Sequence, residues 1–335
     1  MSRFLSGFVP GFLRRLLFPC TLALALVSSP AFAQNFPSRP ITMIVVFAAG
    51  GPTDVMARIV ADHMSKTLGQ QIVIENVAGA GGTLGGGRGA RAEPDGHTLT
   101  VGSLGSHAAA RALYKNMPFD ARKLEPVGLI AGTPGYVVVR KEFPAKDFAE
   151  FQNFVKQNPG KVTSGHAGVG STPHLQCLLL SSLTGMKFAD VPYKGSAPAM
   201  NDLVAGQIDS MCDLAPTVVP QVQGNNIRAL LVSLKDRAAA TPQVPTSAEA
   251  GIPAYQFQGW NAIFAPEGTP KPVIDRLSKA LLEALADAGV QKRIADVGAI
   301  PATTAEATPD AFRKFLNDEI TKWEKVIGDA GVTPQ

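Results

Sequence analysis

Charge is scarce in this chain of 335 residues. Asp, Glu, Lys and Arg together make up 17%, against roughly 25% in ordinary soluble domains. That argues against a protein that grips nucleic acid by charge. The formal net charge of +4 leans on the N-terminus: without Arg3, Arg14 and Arg15 the 31 basic residues become 28 against 27 acidic ones, or +1. No polybasic run is left to hold phosphate or a membrane surface. Cysteine is scarcer still, at three residues, too few for a disulfide framework. Beyond the first 33 residues no apolar run approaches the roughly 20 residues of a spanning helix. The chain lacks repeats and low-complexity tracts, which excludes collagen-like and disordered chains.

The one long apolar run stands at the N-terminus. Arginines precede Leu16 to Val27, and Ser28-Ser29-Pro30 lead to Ala31-Phe32-Ala33. A positive stretch, about a dozen apolar residues and a small-x-small end form a secretory signal peptide. Cleavage is expected after Ala33, leaving Gln34–Gln335 as an exported, soluble product. Cys20 lacks the small residues that precede a lipoprotein cysteine, so no lipid anchor is expected. Export permits a bridge between Cys177 and Cys212, but the preferred reading is two buried free thiols.

The rest alternates apolar β-branched runs with helical patterns. Ile41 to Phe47 reads as a strand, Val55 to Leu68 as a helix stopped by Gly69, and Gln71 to Glu75 as a strand. A helix near 84–92 and a strand at 98–101 follow. A second series starts near Tyr136: strands at 136–139, 162–164, 190–193, 207–213 and 228–233, with helices at 147–158, 172–183, 196–205 and 217–223. A strand at 260–264 and two helices, 271–288 and 309–329, close the chain. Such alternation implies α/β architecture with a parallel sheet.

Three glycine-rich turns follow strands. Phe47-Ala48-Ala49-Gly50-Gly51-Pro52-Thr53-Asp54 leads into a helix, whose free N–H groups attract an anion such as a carboxylate. Gly165 to Thr172 nearly spells a Walker A loop, but Ser171 stands at the lysine position and removes the charge that reaches the phosphates. A flexible loop, two hydroxyls and a helix start remain, suited to a small anion. Gly85-x-Gly87-x-x-Ala90 imitates a dinucleotide fingerprint but lies about ten residues past its strand, the wrong context. It reads as a turn and a glycine-weakened helix.

Catalytic and metal patterns are missing: neither G-x-S-x-G nor H-E-x-x-H occurs. His166 and His174 have no cysteine or carboxylate between them, and read as loop or pocket lining. His107, after Ser103 and Ser106, is placed to reach a cleft. Tyr193-Lys194-Gly195 forms a further strand-to-helix turn. Trp260 and Phe257 read as core.

These landmarks occur in order: FPSRPITMIVVFAAGGPTDVMAR, IVIENVAGAGGTLGG, EPDGHTLTVGS, GHAGVGSTPHL, VPYKGSAPAMNDLVAGQID and VPTSAEAG…GWNAIFAPEGTPKPVIDRL. Through them the chain resembles the periplasmic substrate-binding proteins of tripartite tricarboxylate transporters, the Bug-type receptors. The resemblance implies a two-lobed periplasmic binding protein fold, type II-like, each lobe a mainly parallel sheet flanked by helices. It places lobe 1 at 34–134 plus 255–335, lobe 2 at 135–254, and a ligand cleft between them. The implied ligand residues are Phe47, Ala48, Gly50, Gly51, Thr53 and Asp54; Ser103, Ser106 and His107; Ala167, Gly170, Ser171, Thr172 and His174; and Tyr193, Lys194, Gly195 and Asp213. Implied partners are a small organic acid (a di- or tricarboxylate, acidic amino acid or aromatic carboxylate) and the permease subunits of the transporter. A monomer without cofactor, metal, nucleic acid or enzymatic activity is expected. An exported carboxylate hydrolase and a sensor without transport are the alternatives. His166, Cys212 and the glycines at 86, 87 and 89 depart from the common pattern.

Overall fold

The structure is a computed structural model that describes residues 36–329 and Pro334; residues 1–33, where a signal peptide is expected, lie outside the described residues. Strand β1 (Ile41–Val45) is almost wholly buried and runs through a glycine turn into helix α1 (Pro52–Leu68). Met56, Ile59, Val60, Met64 and Leu68 recur at three- and four-residue spacing and give α1 its buried stripe. Pro52 occupies the first turn, where its missing N–H breaks no helical bond. Gly69, at φ 71°, ends the helix and returns its N–H to the Ser65 and Lys66 carbonyls.

Strands β2 (Ile72–Asn76) and β3 (Thr98–Ser103) flank β1 in parallel. Between them in sequence, helix α2 (Thr83–Ala90) carries the glycine run. A Cβ on Gly89 would lie 1.8 Å from Thr100 Oγ1. The glycines that weaken α2 in isolation let it lie directly on the sheet. A π-helical turn (Leu104–Ala109) and the short α3 (Ala110–Leu113) follow β3.

Strand β4 (Glu125–Arg140) joins the two halves of the fold. Its residues 125–134 pair antiparallel with β9 (Gln258–Ala265), and 135–140 with β7 (Ser210–Leu214) and β8 (Ile227–Val232). Only 136–139 are legible as strand from sequence, because Pro126, Gly128, Gly132 and Pro134 break the β pattern; register shifts in the pairing with β9 accommodate part of that stretch. In the second half β5 (Thr163–His166) pairs in parallel with β6 (Ala189–Pro192) and β7. Helices α4 (Phe148–Gln157), α5 (Thr172–Thr184), α6 (Ser196–Val204) and α7 (Ala215–Gln223) connect these strands. The chain returns through β9 to α8 (Lys271–Ala286), α9 (Ala288–Asp296), β10 (Ile300–Pro301) and α10 (Pro309–Asp329).

The strand order is β2-β1-β3-β9-β4-β7-β5-β6, with β8 and β10 also on β4. The two-lobed α/β fold is therefore present, with a parallel trio in each half. The pairs made by β9 and β4 are antiparallel, so the sheet is mixed where the sequence suggested mainly parallel pairing. Helix α10 packs Phe312, Leu316, Ile320 and Trp323 into one cluster with Leu104, Leu113, Trp260 and Phe264. The last helix thus packs against the π-helical turn, α3 and β9, and the same cluster takes in Leu175 and Leu214. The single helix expected over 271–288 is two, split at Asp287, whose carboxylate accepts the Val290 N–H at 2.9 Å and caps α9.

The free-thiol expectation is overturned. Cys177 on α5 and Cys212 on β7 are disulfide-bonded, with their Cα atoms 5.4 Å apart. The bridge lies in an apolar cluster with Val137, Phe151 and Leu180. Thirty-five residues separate the cysteines in sequence, and only the packing of α5 on β7 brings them within bonding reach.

Candidate functional site

The site begins at the uncapped start of α1. Gly51 precedes the helix and offers no side-chain cap, so the first-turn N–H groups of Thr53 and Asp54 are open to an acceptor. Asp54 braces this turn from beneath. Its carboxylate accepts the Gly50 N–H at 2.9 Å, Asn76 Nδ2 at 2.9 Å and Arg58 Nε at 2.8 Å. Burial pushes the Asp54 carboxyl up, but these hydrogen bonds outweigh it and hold the group below its ordinary value. Thr53 Oγ1 accepts Asn261 Nδ2 at 3.0 Å, which leaves the threonine proton to donate.

In the second half Ser171 caps α5, its hydroxyl accepting the His174 N–H at 3.4 Å. Thr172 Oγ1 accepts the Gly105 N–H at 3.0 Å and donates to Ser103 Oγ at 3.4 Å. The hydroxyl chain continues from Ser103 to Ser106 Oγ at 3.2 Å and on to His107 Nδ1 at 2.8 Å. His107 is buried and stacks on Phe264 with ring centroids 4.5 Å apart. Burial lowers it to about 3, so it is neutral. Its Nε2 has no hydrogen-bond partner among the described residues, so no carboxylate orients this pair as a hydrolytic triad requires.

His166 and His174 approach with ring centroids 4.6 Å apart. Each Nδ1 accepts a loop N–H at 3.2 Å, from Gly168 and Gly170 respectively. Burial, and then the neighbouring His166, lower His174 to about 4; burial also lowers His166. The folded loop holds its histidines neutral, while the unfolded chain protonates them near 6.5. Their contribution to stability is full above pH 6.5 and is lost as pH falls toward about 4. The thermal midpoint is expected to drop across that interval. His174→Asn keeps an acceptor for Gly170 but has no proton site, and should flatten the drop; an unchanged slope would refute this account.

Tyr193 turns its hydroxyl to Asp202 at 2.7 Å and is raised to about 12 by burial and then by that contact. The exposed Lys194 contributes its carbonyl, which accepts the Ala48 N–H at 3.3 Å. Gly195 lets the two turns meet, since a Cβ there would lie 3.0 Å from Ala48 N. Ser196, the first residue of α6, donates to Asp213 Oδ1 at 2.6 Å.

These elements converge on a cavity of about 10 Å³, room for roughly one water. Phe47, Thr53, Ser103, Ala167 and Thr172 line it as candidates from the sequence; Pro52, Pro173, Ser196 and Leu214 were missed. The starts of α1, α5 and α6 all contribute to its wall, and no lysine or arginine does. The other candidates lie outside this wall, several of them bracing it as described. Hydrogen bonds from Ala48 N–H to Lys194 O, Gly105 N–H to Thr172 Oγ1, Thr172 Oγ1 to Ser103 Oγ and Tyr114 Oη to Val169 O at 2.7 Å hold the halves together. The cleft is therefore closed. Asn261 had a usable signal, a polar residue inside the apolar run Trp260–Ala265. Ser196 had one too, as the first residue after a strand-to-glycine turn. A separate groove of about 880 Å³ beside Gly132, Gln258, Trp260 and Phe315 receives no start of α1, α5 or α6.

Two α/β halves joined by β4 and β9, closing helix starts around a small cavity, define a solute-binding receptor of the periplasmic binding protein class. The chain belongs to the tripartite tricarboxylate transporter receptor family, whose model matches residues 56–332. It is similar to protein BugT of Bordetella pertussis, 36% identical over 92% of this chain and 95% of the relative. Among solved structures it is similar to MatC from Rhodopseudomonas palustris with bound malate, at 41% identity and TM-score 0.84, covering 87% of this chain and all of that one. The periplasmic binding protein BugD is similar at 38% identity and TM-score 0.87, covering 90% and 100%. An R. palustris protein solved with adipate matches at 33% identity and TM-score 0.85, with the same coverage. The family and these neighbours are solute receptors, not enzymes.

Proposed function

We propose that this protein is exported to the periplasm by cleavage after Ala33. As a monomer it captures a small carboxylate-bearing solute and delivers it to the permease subunits of a tripartite tricarboxylate-type transporter. The cleft lies between a lobe of 34–134 plus 255–335 and a lobe of 135–254. The observation that carries this reading is the meeting of three helix starts on one cavity wall without a basic side chain. Helix N-termini bring partial positive charge and free N–H groups, which satisfy a carboxylate without a buried arginine. The malate and adipate bound to similar proteins support a carboxylate solute.

Thermal-shift screening of malate, adipate, citrate, acidic amino acids and aromatic acids tests the reading. A true ligand at 100 times its Kd should add about 2.7 kcal/mol of stability. Thr53→Val should then weaken the best ligand about tenfold or more, the effect of losing one hydroxyl donor to a charged group. Stabilisation by sugars or cations with none by carboxylates would overturn the proposal.

A further inference from the structure

The hydroxyls on the cavity wall do not all have the same polarity. Thr53 accepts from Asn261 and keeps its proton for the cleft. Ser196 lines the cavity and gives its only proton to Asp213 at 2.6 Å, which leaves its oxygen only lone pairs to offer a further partner. Asp213 is fully buried on β7, and its Oδ2 has no hydrogen-bond partner among the described residues. A buried carboxylate without a cation binds a hydroxyl proton firmly. The wall therefore carries a hydroxyl with a free proton, Thr53, beside two whose protons are engaged, Ser196 by the Asp213 carboxylate and Thr172 more loosely by Ser103 at 3.4 Å. Resting on the carboxylate-receptor reading above, we propose that the Asp213–Ser196 pair makes Ser196 a hydrogen-bond acceptor and so selects carboxylates that carry a hydroxyl donor. An ammonium donor suits the site less, because it would bring positive charge to helix N-termini.

Burial raises the Asp213 carboxyl to about 7, against the Ser196 hydroxyl, the Leu214 N–H and the nearby Thr217 hydroxyl. Below that pH Asp213 carries its own proton, and Ser196 is released to turn its proton to the solute. The titratable groups on the elements packed against β7 are otherwise engaged or neutral. On β4, Glu125 pairs with Arg313, Arg140 with Asp209, and Tyr136 Oη with Thr241. Asp202 on α6 holds Tyr193, and His166 on β5 and His174 on α5 are both lowered.

The test compares malate with its O-methyl ether, which accepts hydrogen bonds but cannot donate one. Calorimetry at two pH values gives the ratio of their affinities, in which bulk and solute ionisation largely cancel. The malate preference is expected to be about tenfold greater near pH 8.5 than near pH 6. Ser196→Ala and Asp213→Asn should each make the ratio independent of pH. A wild-type ratio that does not change with pH overturns the inference without any variant, as does a pH-dependent ratio retained in Ser196→Ala. If neither compound nor any other carboxylate binds, the receptor reading itself fails, a result distinct from loss of the preference alone.

Discussion

Gly105→Ala is expected to cut solute affinity about ten- to a hundredfold while leaving each half of the fold intact. Gly105 sits in the π-helical turn after β3, and an added Cβ would meet Thr172 N at 2.3 Å, Ser171 C at 2.6 Å and Gly170 O at 2.7 Å. All three are backbone atoms from the other half, so no rotamer change relieves the overlap. The backbone φ of Gly105 is not positive, so alanine carries no conformational penalty of its own there. The clash exists only when the cleft is shut, and it also disturbs the Gly105 N–H bond to Thr172 Oγ1. Binding proteins retain solute by hinge closure, so a block on closure acts on affinity more than on folding. Calorimetry should show the loss, and small-angle scattering should show compaction by ligand in the parent but not in the variant. Parental affinity in Gly105→Ala would mean that this contact is not part of the bound state.

Removing the disulfide is expected to cost about 3–4 kcal/mol of stability, because it closes a loop of 35 residues in the unfolded chain. Cys177→Ala with Cys212→Ala should lower the urea midpoint and steepen the slope, because the unfolded chain without the bridge exposes more surface. The bridge ties α5, whose first residue Thr172 lines the cavity, to β7, which carries Asp213. Loss of the bond should therefore weaken solute binding as well as the fold. Equal midpoints for oxidised and reduced protein would refute the stabilising role. Intact mass after alkylation without reductant should show both thiols blocked.

Local patterns were legible where one segment decides its own structure. Helix α1 carries its stripe, its proline start and its glycine stop within 18 residues, Pro52–Gly69. The helix expected at 309–329 is α10. The glycine turns before α1, α5 and α6 stood out because a strand followed by glycine and a helix start is a local signal. Strand β4 was half hidden, since its prolines and glycines lower strand propensity and only pairing with β9 compensates. The third glycine-rich turn was read as local punctuation. That turn begins at Gly79, and it is also a close approach, for a Cβ on Gly81 would lie 2.2 Å from the Val169 carbonyl oxygen.

By itself the sequence determined the alternation of strands and helices, the scarcity of charge and the helix starts that can hold an anion. Those properties depend on neighbours a few residues away, and the chain carries them before it folds. Only the tertiary structure decided which hydroxyls meet. Ser196 reaches Asp213 across 17 residues, Thr172 reaches Ser103 across 69, and Asn261 reaches Thr53 across 208. It likewise decided that Cys177 and Cys212 bond and that Asp213 is fully buried. Hydrogen-bond polarity and desolvation depend on what lies within a few ångströms, and in this fold those neighbours come from distant parts of the chain.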